Sequence, residues 1–329
     1  MSASPSFSSA RPGLGLAAVL VTVLIWGTQF PIAKSAMTVM DGFTLSLLRY
    51  AIASTVLLLI LYWREGRASL SIAQRVPITA LAGLGMASSA ILVFVGLELT
   101  RPEIAVVIIQ LQPAMTALVE WRLHGKRPSR FTLICLGLAF VGVLFAVTGG
   151  GVGLPALLRT NPVELFGDLL IWLGSMGWVA YTVLTGRITG WSSLRLSSLS
   201  CAAGAVIIAA VWPLAWLAGV VRWPDWSHLL LVSGGLIHVS LLGVVVAMFL
   251  WNVGVRHIGS LNAMLLLHLM PIITFGFRAL QGARIGLAEV LGAGLVIAAL
   301  IANNAHVRRR AADLASAGVV ADERDTPAN

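Results

Sequence analysis

The sequence predicts an all-α membrane protein of ten transmembrane helices, arranged as two inverted repeats of five. Three observations predict it. The 329 residues are 58% hydrophobic and only 11% charged, with mean hydropathy +0.92, whereas a soluble domain carries about 25% charge and about 45–50% apolar residues. The apolar residues collect into runs long enough to cross a bilayer. The chain also matches itself at a nearly constant offset close to half its length.

A hydrocarbon layer about 30 Å thick takes about 20 apolar residues to cross as a helix. Windows of that size give spans at 14–33, 43–63, 77–97, 103–121, 131–149, 166–186, 196–219, 229–254, 260–280 and 286–304. The runs are continuous and rich in Leu, Ala, Val and Gly, which suits helices and not the alternating strands of a barrel. A short N-terminal segment, 1–13, precedes the first span. That span reaches Lys34 with no small-residue cleavage site, so it is expected to stay in the mature chain. Gly149-Gly150-Gly151-Val152-Gly153 opens a linker at 150–165 and is not a phosphate loop, because no Gly-Lys-Ser/Thr follows. The tail at 305–329 is polar and mixed in charge and is expected to be disordered.

The 22 Lys and Arg exceed the 13 Asp and Glu, for a formal charge of +9. These basic residues lie between apolar runs, where they report orientation and not contact with nucleic acid. With the N-terminus inside, fifteen fall in cytoplasmic segments, among them Arg64, Arg67, Arg75, Arg122, Lys126, Arg127 and Arg130. Six fall outside: Lys34, Arg101, Arg159, Arg222, Arg278 and Arg284. Both termini are therefore expected in the cytoplasm, the chain being multi-pass in a plasma membrane of the bacterial inner-membrane type. Cys135 and Cys201 each sit inside an apolar run without metal spacing. No cofactor, metal or nucleic-acid partner is expected; the partners are the lipid bilayer and a small-molecule solute.

At an offset of 158, Leu84, Gly85, Leu92, Val95, Gly96, Ala105, Pro113 and Thr116 fall on Leu242, Gly243, Leu250, Val253, Gly254, Ala263, Pro271 and Thr274. An offset of 152 places Trp26 on Trp178. Each repeat holds five spans, an odd number, so the second copy must run through the membrane upside down. Inverted repeats of this kind build secondary transporters, with the substrate near the midplane between the halves.

Trp26-Gly27-Thr28-Gln29-Phe30-Pro31, then Lys34 and Arg49, resembles the opening of the EamA domain of the drug/metabolite transporter superfamily. Gln110-Leu111-Gln112-Pro113-Ala114-Met115-Thr116 with Gly137 and Gly142 is similar to the fourth and fifth spans of that domain. Trp178-Val179-Ala180-Tyr181-Thr182, Phe249-Leu250-Trp251-Asn252 and His268-Leu269-Met270-Pro271 with Gly292 resemble a second copy. The resemblance covers roughly 14–304. It implies ten helices, two inverted EamA repeats, and transport of small organic solutes such as amino acids, metabolites or amphipathic drugs, often by export. The family commonly has Gly-Glu after the fourth and ninth spans; here the turns read Gly125-Lys126 and Gly282-Ala283.

An ionised side chain at mid-span costs about 2.5–3.5 kcal/mol even on the lenient insertion scale, so polar residues within spans are the functional candidates. Thr22, Trp26, Gln29 and Ala33 share one helical face, as do Gly174, Trp178, Tyr181 and Thr185. Gln110 and His268 each stand three residues before a helix-breaking proline, Pro113 or Pro271. The expected substrate-binding set is Trp26, Gln29, Gln110, Trp178, Tyr181, His268 and Asn252, with His268 a candidate for coupling a proton. Interfacial belts and interhelical hydrogen bonds are the structural alternatives for these side chains. Glu98, Arg101, Arg49 and Asp168 are candidates for gating or charge pairing. Gly137/Gly142 and Ala288/Gly292 suit close helix packing. No HExxH or GxSxG motif supports an intramembrane enzyme, and a scaffold or receptor would not need matched polar positions in two repeats.

Overall fold

The computed structural model describes residues 11–72, 75–100, 102–125, 127–148, 150, 161–221, 223–280, 282 and 286–324, and every element in them is helical. The first repeat comprises α1 (Pro12–Ala36), α2 (Gly42–Glu65), α3 (Val76–Leu99), α4 (Pro102–Ile109), α5 (Gln112–His124) and α6 (Arg130–Val147). The second comprises α7 (Pro162–Thr185), α8 (Ser193–Leu217), α9 (Trp226–Leu231), α10 (Ser233–Ile237), a π-helical stretch (His238–Val246) and α11 (Ala247–Ile258). It continues through α12 (Ser260–Leu266), a 3-10 turn (Leu267–Leu269), α13 (Met270–Leu280) and α14 (Leu287–Arg324).

Side chains cap the helix starts. Asp41 at the head of α2 accepts from Thr44 N (2.8 Å), and Ser192 at the head of α8 accepts from Arg195 N (2.9 Å). Ser129 and Asn161 do the same for α6 and α7 (3.0 and 2.9 Å). Each satisfies one of the amides that a helix N-terminus leaves unpaired.

Seven helices among the described residues are long and apolar enough to cross a membrane. This differs from ten in three places. The expected span 103–121 is divided between α4 and α5, because Pro113 begins a new helix instead of continuing the old one. The apolar stretches Arg130–Ala146 and Val290–His306 are shorter; at 1.5 Å per residue each spans about 26 Å. The described part of α14 also continues to Arg324, through the stretch expected to be disordered. Ala311, Ala312, Ala315 and Ala317 give that stretch strong helix propensity.

Leu24, Trp63, Leu81, Val206 and Leu217 are more than half exposed, so the outer surface is apolar, as lipid contact requires. Inside, α1 packs along α11 and the π-helical stretch, while α3 packs along α7; α2 pairs with α8 and α6 with α14. Exchanging the repeats converts the first pair into the second. Glycine makes both crossings close. A Cβ on Gly96 would stand 2.6 Å from the Gly167 carbonyl oxygen; one on Gly254 would overlap Val19 and stand 3.1 Å from the Gly15 oxygen. Gly142 and Gly292 meet in the same way, a Cβ on Gly142 lying 2.8 Å from the Gly292 oxygen. Helices without large side chains at the contact approach until their backbones touch.

Candidate functional site

Four aromatic rings meet where the repeats meet. Trp26 of α1 meets Trp178 of α7 edge to face, with centroids 5.2 Å apart and planes at 81°. Trp251 of α11 lies 5.3 Å from Trp26 and 5.6 Å from Trp178, and Tyr181 lies 5.3 Å from Trp178. Such pairs contribute about 0.5–1.5 kcal/mol each beyond the area they bury. Their polar handles are tied. Trp26 Nε1 donates to the Gly243 carbonyl (2.9 Å), inside the π-helical stretch, and Trp251 Nε1 donates to Thr182 Oγ1 (3.2 Å). Asn252 Nδ2 donates to Tyr181 OH and to Ser197 Oγ, both at 2.8 Å, joining α11 to α7 and α8.

The prolines leave carbonyls without their helical donor, and the opposite repeat supplies one. Pro271 has no N–H for the Leu267 carbonyl four residues earlier; Gln110 Nε2 donates to it at 3.3 Å. Pro31, inside α1, likewise frees the Gly27 carbonyl, and Thr274 Oγ1 donates to it at 2.7 Å. Thr116 occupies the repeat position matching Thr274, and its hydroxyl has no partner. Its expected counterpart carbonyl is still used within its own helix, because Val183 stands where Pro31 stands in the first repeat.

Beside this junction lies a cavity of about 110 Å³. Both repeats build it: Trp26, Gln29, Arg49, Tyr50, Ser89, Val93, Phe94 and Gln112 from the first, Trp178, Gly243, Met248, Leu267 and Met270 from the second. Of the residues expected to bind solute, Trp26, Gln29 and Trp178 stand on its wall. Tyr181, Asn252, Gln110 and His268 are buried behind the wall, in the hydrogen bonds and ring contacts that hold it. His268 is fully buried; its Nδ1 lies 3.1 Å from the Leu265 carbonyl and its Nε2 has no partner.

Of the four charge-pair candidates, three are described. Glu98 accepts from the Gly42 amide at the head of α2, and Asp168 accepts from Thr100 Oγ1 at 2.6 Å, so both acids tie helix ends together. Arg101 lies outside the described residues, as do Lys126 and Ala283. Arg49 stands in the cavity wall.

Sequence reasoning passed over Trp251, Tyr50, Ser89 and Gln112 as site residues. Trp251 matches Val93 across the repeat, so a search for paired aromatics misses it. Gln112 was within reach: the break before Pro113 resets the helical phase, which turns Gln112 and not Gln110 toward the space.

A bundle of membrane-length helices with an apolar exterior, folded from two repeats around a shared cavity, is a multi-pass membrane protein of transporter type. The model of the EamA-like transporter family matches residues 13–148 and again 165–305. The chain belongs to this family. It is 27% identical over 300 residues to the uncharacterized transporter YrdR of Bacillus subtilis (strain 168), covering 90% of this chain and 92% of that one. It is 25% identical over 285 residues to the uncharacterized transporter YyaM of the same organism (86% and 90% covered), and 25% identical over 264 residues to an uncharacterized transporter of Archaeoglobus fulgidus (79% and 87%). A solved crystal structure shares the fold with a TM-score of 0.75 at 20% identity, over 91% of this chain and 99% of that chain.

Proposed function

We propose that this membrane transporter is a secondary transporter of small organic solutes that works by alternating access. Two inverted five-span repeats rock about the cavity between them, with α4 and α5 together forming the fourth span and α6 and α14 completing the fifth and tenth. The observation that carries this reading is that one cavity takes its wall from both repeats, with Trp26 and Trp178 edge to face beside it. A site shared in this way changes its exposure when one repeat tilts against the other.

Export from the cytoplasm is the direction we assign, on the family resemblance, with both termini cytoplasmic in a bacterial inner membrane by the distribution of Lys and Arg. The rings suit amino acids, metabolites or amphipathic drugs with a flat apolar body. His268, with its unpartnered Nε2 beside the helix break, is the group we assign to proton coupling.

Purified protein in proteoliposomes tests the reading. Protein-dependent efflux of at least one solute from a panel of amino acids, organic acids and amphipathic drugs is expected, and Trp178→Ala should abolish it. A panel in which nothing moves and nothing binds would favour a non-transporting scaffold or receptor.

A further inference from the structure

We propose that Arg49 is the anion anchor of the cavity. It receives the carboxylate, or a comparable oxyanion, of the solute carried, so the substrate class is small organic acids and zwitterions with an apolar or aromatic body. The proposal rests on the transport reading above and adds the charge of the substrate to it.

Arg49 lies in the second turn of α2, within a membrane-spanning helix, and is only 6% exposed. Its Nε and Nη1 have no hydrogen-bond partner, yet its side chain lines the cavity. No carboxylate of a described residue pairs with it. The other polar wall residues, Gln29, Tyr50, Ser89 and Gln112, are neutral, so the wall carries one net positive charge.

A buried cation without a counter-charge is strongly unfavourable. Part of that cost is offset locally: the guanidinium carbon lies 4.9 Å from the Phe94 ring centroid and 5.6 Å from that of Tyr50. Ring faces stabilise a cation without neutralising it or using its N–H donors. What completes the site is an acceptor that brings negative charge, and a guanidinium matches a carboxylate in both shape and charge. Trp26, Trp178, Val93 and Met248 then enclose the apolar remainder of the solute. The same unpaired charge repels organic cations. In the second repeat Ser200 stands in register with Arg49, counted from the N-caps Ser192 and Asp41, so the charge is present in one repeat only.

The test uses Ser89→Cys, a near-isosteric change at a half-buried wall position, in detergent, where both faces of the protein are open to reagent. Its labelling rate is measured with the anionic sulfonatoethyl methanethiosulfonate and with the cationic trimethylammoniumethyl analogue, relative to protein carrying only Cys135 and Cys201, both buried. The anionic-to-cationic rate ratio should fall by about tenfold with Arg49→Gln or Arg49→Met, a modest case of charge focusing in a cleft, and Arg49→Lys should retain it. Benzoate and phenylacetate should slow labelling, and benzamide and phenylacetamide should not.

An unchanged ratio with a reactive cysteine overturns the anchor while leaving the transport reading intact. So does the absence of protection by the acids, or equal protection by the amides. A cysteine inert to both reagents overturns the two together, because the cavity would then be closed to water.

Discussion

Gln110 of the first repeat donates to the Leu267 carbonyl of the second, the oxygen that Pro271 leaves without a helical donor. The Thr274 hydroxyl returns the service to Gly27, whose carbonyl is freed by Pro31. The repeats therefore do more than pack: each completes a broken helix of the other. Where a bilayer would otherwise surround an orphan carbonyl, that contact is needed.

This gives a contrast between two matched threonines. Thr274→Val should lower thermal stability in detergent by about 1 kcal/mol, since interhelical bonds in membranes contribute about 0.6 and up to about 1.7 kcal/mol. Thr116→Val should be neutral or stabilising, because Thr116 Oγ1 is buried without a partner. Equal losses at both positions, read by thermal unfolding, would contradict the proline-carbonyl account.

A second contrast concerns glycines. Gly96→Ala and Gly254→Ala should both destabilise the bundle and block transport, since the added carbon meets the Gly167 backbone in one and Val19 in the other. Gly137→Ala, with nothing within 4 Å of the new carbon, should be tolerated or gain up to about 1 kcal/mol from helix propensity. Yield after size-exclusion chromatography and flux in liposomes separate these outcomes.

The aromatic cluster divides by depth. Trp251 is fully buried, so Trp251→Ala should cost about 3–5 kcal/mol of stability. Trp26 is partly exposed on the cavity wall, so Trp26→Ala should reduce solute binding more than folding. Trp26→Phe keeps the ring contact but loses the bond to Gly243, and should fall between the unaltered protein and Trp26→Ala. Binding isotherms and melting curves on the same samples check the order.

Asn252 joins three helices through one amide. Asn252→Leu should cost about 1–2 kcal/mol, and Tyr181→Phe added to it should cost almost nothing more, because both changes remove the same bond. Additive losses in that double-mutant cycle would show that the two side chains act separately.

Much of this arrangement could be read from the chain, for a physical reason. Gly85, Gly96 and Gly254 match at one offset because a side chain at each would strike a neighbouring helix, while Gly243, the fourth matched position, lies against the end of the Gln29 side chain. Gln29 and Tyr181, one repeat apart, each press on one of these glycines, Gly243 and Gly85. Backbone contact leaves a mark in sequence; side-chain direction leaves much less. Arg49 could be placed in the second span, but its turn toward the cavity depends on α2 meeting Phe94 of α3, which no period encodes. The π-helical stretch at His238–Val246 was invisible for a similar reason, being an extra residue within an apolar run. The split fourth span was half legible, since Pro113 marked the break while the run of apolar residues hid its effect on length.

The crossings of α1 on α11 and of α3 on α7 are copies of one contact. Both copies are closed at once in this structure, so neither seam by itself distinguishes one face of the bundle from the other.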